Sequence, residues 1–550
     1  MNNPSAAGDG VVGADSGARA PGADFVRLPG RIQVLDTTLR DGAQGAEISF
    51  SIADKLNIVR ALDRFGVTYI EAGNPASNPK DAGFFREARS LKLSRAKLCA
   101  FGSTCRKNTA PDKDENLRAL LAAETPAVSV FGKAWDWQVT EILETAPEEN
   151  LRMIYDSVAY LRASGREVLF DAEHFFDGYA ANPEYALSVV ATAARAGAAC
   201  VCLCDTNGGT LPSPVFRAVR AVRERFPEIR LGIHTHNDSG CAAANALVAV
   251  EAGVTHVQGT FGGIGERCGN ADLSVIIAGI VLKKHRDCDG SPGLLCATAT
   301  AVAETANLKI PSNAPYIGKS AFAHKAGMHI DGVLKNSAAF EHVPPEAVGN
   351  RRHFLISEMA GRGTVLERIW GMAPGLRKDS PELRMVLDRL KEQESRGYQY
   401  EVADASFELL VKRLLGRYQQ HFSVVLYKTI GEFPSPDRDM PSTAIVKVQV
   451  GGKTEMTSAA GNGPINALDG ALRKALTVFY PTISAVRLTD YKVRVLDENA
   501  ATAAKVRVLI ESGDGVRTWS TVGVSNDIID ASMQALVDSV EYKLSREETA

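Results

Sequence analysis

Eight short β-rich runs recur between residues 32 and 260, roughly one every 30 residues, with helix-like stretches between them. They are "IQVLD" (32–36), "VTYIEAG" (67–73), "AKLCAFG" (96–102), "AVSVFG" (127–132), "EVLFDAE" (167–173), "CVCLCDT" (200–206), "LGIHTH" (231–236) and "THVQGT" (255–260). The first connection, "SIADKLNIVRALDRFG", sets Ile52, Leu56, Val59 and Leu62 on one helical face and Gly66 just past its end. A later one, "NPEYALSVVATAARAG", opens with Asn182 as a cap and Pro183 at the first helical position. Eight strand–helix units in about 250 residues predict an α/β fold, a closed (β/α)8 TIM barrel. The alternative is a doubly wound open sheet. It usually has fewer strands, and the Gly-rich fingerprint expected after its first strand is missing.

A barrel of that size leaves half of the 550 residues over, so further domains are required. We divide the chain into a disordered leader (1–29), the barrel (30–284), helical subdomains covering its mouth (285–420) and a C-terminal domain (421–550). The leader lacks the basic and apolar regions of a signal peptide. The 62 basic and 65 acidic residues nearly cancel, so a nucleic-acid partner is not expected. No apolar run approaches the roughly 20 residues that span a bilayer, so no membrane partner is expected either. Nine cysteines, an odd number in a long chain, point away from a disulfide framework and towards a reducing, cytoplasmic setting.

In such barrels chemistry sits where the strands end. Asp36 ends the first strand, and Arg40 and Asp41 lie on the loop after it. In "HTHND", His234 and His236 are two apart on a strand, so both imidazoles leave the same face about 7 Å apart at Cα. With Asp41 they make an open N/O donor set suited to Mg²⁺, Mn²⁺ or Zn²⁺. Arg40 adds a permanent positive charge, fit for an oxygen that gains negative charge during reaction. The loop "FGGIGERCGN" (261–270) carries Glu266, Arg267 and Asn270, the last placed to add an oxygen to the metal. Cys200, Cys202 and Cys204 share a strand face, and we read them as small core residues rather than ligands.

"DTTLRDG", "HTHND" and "GIGERCGN", in this order on a barrel, resemble the metal-requiring acyl-CoA barrel enzymes. That group holds the 2-isopropylmalate, homocitrate and citramalate synthases and hydroxymethylglutaryl-CoA lyase. The resemblance implies metal ligation by Asp41, His234, His236 and Asn270. It implies that Arg40 stabilises the keto oxygen of the acceptor and Thr206 holds the acceptor's carboxylate. Glu173 and Glu266 match carboxylates near the reacting groups, and His329 in "AFAHKAGMHIDGVLKN" matches a base for acetyl-CoA. His324 lies in the same motif. The family usually sets a tyrosine a few residues after "LKN", where this chain has Phe340. Asn74, just after "EAG", is an expected substrate-binding residue with Arg40 and Thr206, and stands where many 2-isopropylmalate synthases carry an aromatic residue. The motif set as a whole favours acetyl-CoA and pyruvate as substrates, in isoleucine biosynthesis. 2-Oxoisovalerate and 2-oxoglutarate are the alternative acceptors, and a lyase the alternative class.

From about residue 421 the chain repeats itself: "STAIVKVQVGGKTEMTSAAGNGPINALDGALRKAL" and "AAKVRVLIESGDGVRTWSTVGVSNDIIDASMQALVDSV" each read strand, turn, strand, Gly-containing loop, helix. The expected fold is a duplicated α+β domain. It resembles the regulatory domain of the same synthases, which implies a feedback amino acid, isoleucine, and a homodimer. The loops bounded by Gly461 and Asn466, and by Gly523 and Ile528, are the candidate regulatory positions. A dimerisation module without a ligand is the alternative.

Overall fold

All eight predicted strands form: β1 (Gln33–Asp36), β2 (Tyr69–Glu71), β3 (Lys97–Ser103), β4 (Ala127–Lys133), β5 (Glu167–Glu173), β6 (Cys200–Asp205), β7 (Leu231–Thr235) and β8 (His256–Gly259). They pair in parallel in chain order, and β8 closes on β1 with Gln33 opposite His256. The helix α1 (Ile52–Phe65) starts at a capping box. Ser51 Oγ accepts from the Asp54 backbone N–H, and the Asp54 carboxylate accepts from the Ser51 N–H. It stops at Gly66, whose φ of 99° only glycine adopts cheaply. The helix α2 (Pro183–Ala196) is capped by the Asn182 side chain, with Pro183 in its first turn. Leu35, Tyr69, Cys99, Ala127, Leu169 and Cys200 pack together inside the barrel, each from a different strand among the first six. Leucine, tyrosine and small side chains thus fill it, so chemistry is left to the strand ends.

The structure is a computed structural model and describes residues 30–355, 365–366, 369, 373–377, 379–431, 441–497, 503–515 and 517–547; the leader expected at 1–29 lies outside them. The chain divides into two compact units, Met1–Ala321 with Glu346–Asn350, and Phe322–Pro345 with Arg351–Ala550. Among the described residues no helix is long and apolar enough to cross a membrane. All nine cysteines are unpaired.

The second unit starts with two short parallel strands, β9 (Ala323–His324) and β10 (His353–Phe354), in a region expected to be helical. Between them runs the helix α3 (Gly327–Lys335). The tail is duplicated, but each copy has three strands rather than the two read from the repeat. One sheet holds β11 (Ser423–Gly431), β12 (Ser442–Val450) and β13 (Lys453–Gly461), followed by helix α4 (Pro464–Thr477). The other holds β14 (Arg487–Val495), β15 (Val506–Gly513) and β16 (Thr518–Ser525), followed by helix α5 (Ile528–Glu547). β11 and β14 escape sequence reading because no residue of either is fully buried, so neither alternates cleanly. Leu468, Leu472 and Leu476 of the first copy share one core with Trp519, Leu536 and Val540 of the second.

Candidate active site

Parallel pairing brings distant strand ends to one mouth. Asp41 follows β1, His234 lies on β7, and His236 stands just after it. His234 Nε2 is 3.4 Å from Asp41 Oδ2, His236 Nε2 is 3.7 Å from the same oxygen, and the two Nε2 atoms are 3.3 Å apart. All three residues are buried. The second carboxylate oxygen of Asp41 and the Nδ1 atoms of both histidines have no hydrogen-bond partner. The atoms that converge are the others, Asp41 Oδ2 and the two Nε2 atoms, and three buried donor groups crowded onto one point, each with a further atom unpaired, are the arrangement a bound ligand would satisfy. Donor atoms within 4.8 Å of one another, one carboxylate and two imidazoles, fit a divalent cation. Asn270 is bridged to His236 through the backbone, is buried, and leaves its Oδ1 unpartnered. Cβ atoms at Gly263 and Gly265 would press on Asn270, so those glycines let the loop fold over it.

Charge around the cluster is fixed by contacts. Arg40 Nη1 donates to Asp41 at 2.9 Å, its Nε donates to Glu71 at 2.5 Å, and its guanidinium lies 3.9 Å over the Phe101 ring. Burial alone would raise Asp41. Arg40 and the two imidazoles outweigh it and hold the carboxyl well below the usual range. Burial, then the neighbouring His234, pushes His236 down to about 4, which keeps it a neutral donor. Burial raises Glu71 despite its Arg40 partner.

A cavity of about 270 Å³ opens on this cluster. Arg40, Asp41, Glu173, Thr206, His234, His236 and Glu266 of the expected set line it. Thr206 Oγ1 accepts from the His174 N–H at 2.9 Å, so its own hydrogen is free to donate elsewhere. Glu173 is ion-paired to Lys133 at 2.6 Å, whereas Glu266 is largely exposed. Asn74 is not part of this cavity. It lines a neighbouring one, its N–H donates to Asp81, and its side chain accepts from the Ala76 N–H in a local turn. His329 is on α3 in the second unit, exposed, with its ring stacked on Phe340. The glycines of the tail loops have packing reasons. A Cβ on Gly461 would lie 2.6 Å from the Ala467 nitrogen, and one on Gly523 would lie 2.0 Å from the Ala531 oxygen. Asn466 and Ile528 lie in the first turns of α4 and α5.

Sequence reading missed Gln44, Phe101, Phe131 and Asp171, which also line the cavity. Phe101 and Phe131 stack with centroids 5.4 Å apart. A signal existed, since two consecutive β-rich runs end in Phe-Gly. Asp171 gathers with Cys202 and Cys204, whose sulfurs lie closer together than strand spacing suggested. Both Asp171 oxygens are already taken, by Ser129 at 2.8 Å and Gln258 at 2.9 Å, and burial pushes the Cys202 thiol far up. The cluster is thus satisfied within the protein and is not read as a second metal site, although Asp171 and Cys204 also border the cavity.

The fold and this mouth define a barrel enzyme of the HMGL-like class, and residues 31–305 match that family. Residues 316–397 match the "homocitrate synthase post-HMGL domain-like" family, and residues 401–544 the "LeuA allosteric (dimerisation) domain". The (R)-citramalate synthase of Geobacter sulfurreducens is 50% identical over 94% of this chain and 98% of its own length. That of Aquifex aeolicus is 49% identical over 94% and 98%. A probable 2-isopropylmalate synthase of Methanosarcina mazei is 29% identical over 94% and 96%. The chain belongs to the family of the (R)-citramalate synthases.

Proposed function

We propose that this enzyme condenses acetyl-CoA with pyruvate and hydrolyses the thioester, giving (R)-citramalate and CoA. The convergence of Asp41, His234 and His236 beside Arg40 carries the reading. Asp41, His234 and His236, with Asn270, hold a divalent cation, Mg²⁺, Mn²⁺ or Zn²⁺. Bound there, it supplies Lewis-acid polarisation of the keto group. Thr206 donates its hydroxyl hydrogen to the pyruvate carboxylate. Arg40, held by Glu71 and Phe101, keeps a fixed positive charge where the keto oxygen becomes an alkoxide. The stacked Phe101 and Phe131 rings make an apolar wall in a small cavity, which suits the methyl group of pyruvate.

His329 takes a methyl proton from acetyl-CoA, and the resulting carbanion forms a C–C bond to the keto carbon. The alkoxide is protonated. Water then adds to the thioester carbonyl, the C–S bond breaks, and CoA leaves as the thiol. Glu173 and Glu266, which line the cavity, are the carboxylates we assign to assist these proton transfers. The tail pairs two copies into a homodimer and binds an effector amino acid, isoleucine, at the loops bearing Gly461, Asn466, Gly523 and Ile528. The duplicated sheets and their match to the LeuA domain support this.

A thiol-release assay across pyruvate, 2-oxoisovalerate and 2-oxoglutarate, with added isoleucine as one arm, tests the reading. We expect pyruvate to give the highest kcat/KM and isoleucine to lower the rate. A better rate with 2-oxoisovalerate would move the chain to the 2-isopropylmalate synthases.

A further inference from the structure

Phe340 has no hydroxyl to move a proton, yet its ring lies on the His329 imidazole, with centroids 4.1 Å apart and planes 24° apart. The surroundings build this contact from three sides. Gly332 is one helical turn after His329 on α3, and a Cβ there would come within 2.5 Å of Phe340 Cε2. A missing side chain is therefore what seats the ring. Asn336 fixes the turn between them, its side chain accepting from the Ala338 N–H at 3.0 Å. The residue after Phe340 is Glu341, buried and clamped. Arg352 donates to its two oxygens at 2.6 and 2.6 Å, and His324 Nε2 lies 3.1 Å from one of them. The Arg352 contact, reinforced by His324, holds the Glu341 carboxyl below its usual range, so it stays an acceptor. His324 precedes α3 and Glu341 follows Phe340, so one carboxylate ties together both ends of the segment that carries His329.

We propose that Phe340 is a positioning residue for His329. Its ring face holds the exposed imidazole in one orientation, Gly332 provides the seat, and His324–Glu341–Arg352 is the frame. An exposed side chain otherwise samples several rotamers, and reactions lose rate steeply when a reacting group is misplaced. The proposal rests on the reading of His329 as the acetyl-CoA base, and Phe340 acts only through that ring.

The test uses the full-length enzyme and four variants, His329→Ala, Phe340→Leu, Phe340→Tyr and Gly332→Ala, assayed for thiol release with acetyl-CoA and pyruvate. Phe340→Leu is expected to lower kcat about tenfold while KM for both substrates moves less than about twofold. Gly332→Ala, which displaces the ring without altering it, should reproduce that loss. Phe340→Tyr restores the aromatic face and should keep at least about half of kcat. In protein labelled with ¹³C-histidine, the His329 ring protons, identified by their loss in His329→Ala, should resonate upfield. They should move downfield in Phe340→Leu. If Phe340→Leu keeps kcat within about twofold and the ring shifts do not move, while His329→Ala is inactive, the positioning role is overturned. Activity within about twofold in His329→Ala overturns the underlying reading of His329 instead.

Discussion

Arg40 shows how one side chain is made into a fixed charge. It has two carboxylates and an aromatic face as partners, and little of it meets water. Its Glu71 partner is fully buried, so removing that carboxylate leaves a buried cation half-compensated. Glu71→Ala is expected to lower the unfolding free energy by about 3 kcal/mol, measured by denaturant titration, and to reduce kcat. Unchanged stability would show that Asp41 and Phe101 suffice to hold the guanidinium. At this scale the sequence was legible where a motif is contiguous. "RDG" and "HTHND" each place their donors by local geometry alone. Phe101, Phe131 and Asp171 were not legible, because each becomes a wall only when neighbouring strands pair.

Among the elements, the duplicated tail is held by close strand–helix contacts. Gly523 lies within β16 where α5 packs closely on it, and a methyl group there would collide with the Ala531 carbonyl. Backbone cannot move aside as a flexible side chain does, so Gly523→Ala is expected to cost about 1–3 kcal/mol. Gly293→Ala, with nothing within 4 Å of the added carbon, should stay within about 0.5 kcal/mol. Thermal unfolding of the two variants checks both expectations. Equal melting temperatures would mean that α5 can lift off its sheet cheaply. The alternating strands β12 and β15 and the helices after each sheet were readable from periodicity. β11 and β14 were not, because they lack a fully buried face.

For the whole molecule, barrel closure sets a pH dependence of stability. His256 on β8 is fully buried, both ring nitrogens are unpartnered, and burial pushes it down to about 3. In the unfolded chain its value is near 6.5. Between those values the unfolded chain binds a proton that the folded imidazole refuses, so stability falls as pH drops from about 6.5 towards 3. Asp36, raised to about 7 by burial, has the opposite sign over much of that window. The comparison is therefore between the protein and His256→Leu. Urea titrations from pH 7 to pH 4 should show a shallower loss in the variant. Parallel slopes would mean that the folded ring takes up its proton after all.

The sequence by itself determined the number and order of the barrel strands, the caps of α1 and α2, and the contiguous motifs that carry Asp41, His234 and His236. Those are properties of neighbours in the chain, set by side-chain period and capping chemistry. Only the tertiary structure decided that Asp41 and the two imidazoles share one buried point, that Glu71 and Phe101 hold Arg40, and that Asn74 faces a different cavity. It also set Phe340 on His329 and gave each tail sheet its third strand. Those arrangements depend on which strands and turns come to lie beside one another, and no local periodicity encodes a contact between residues that the fold alone makes adjacent.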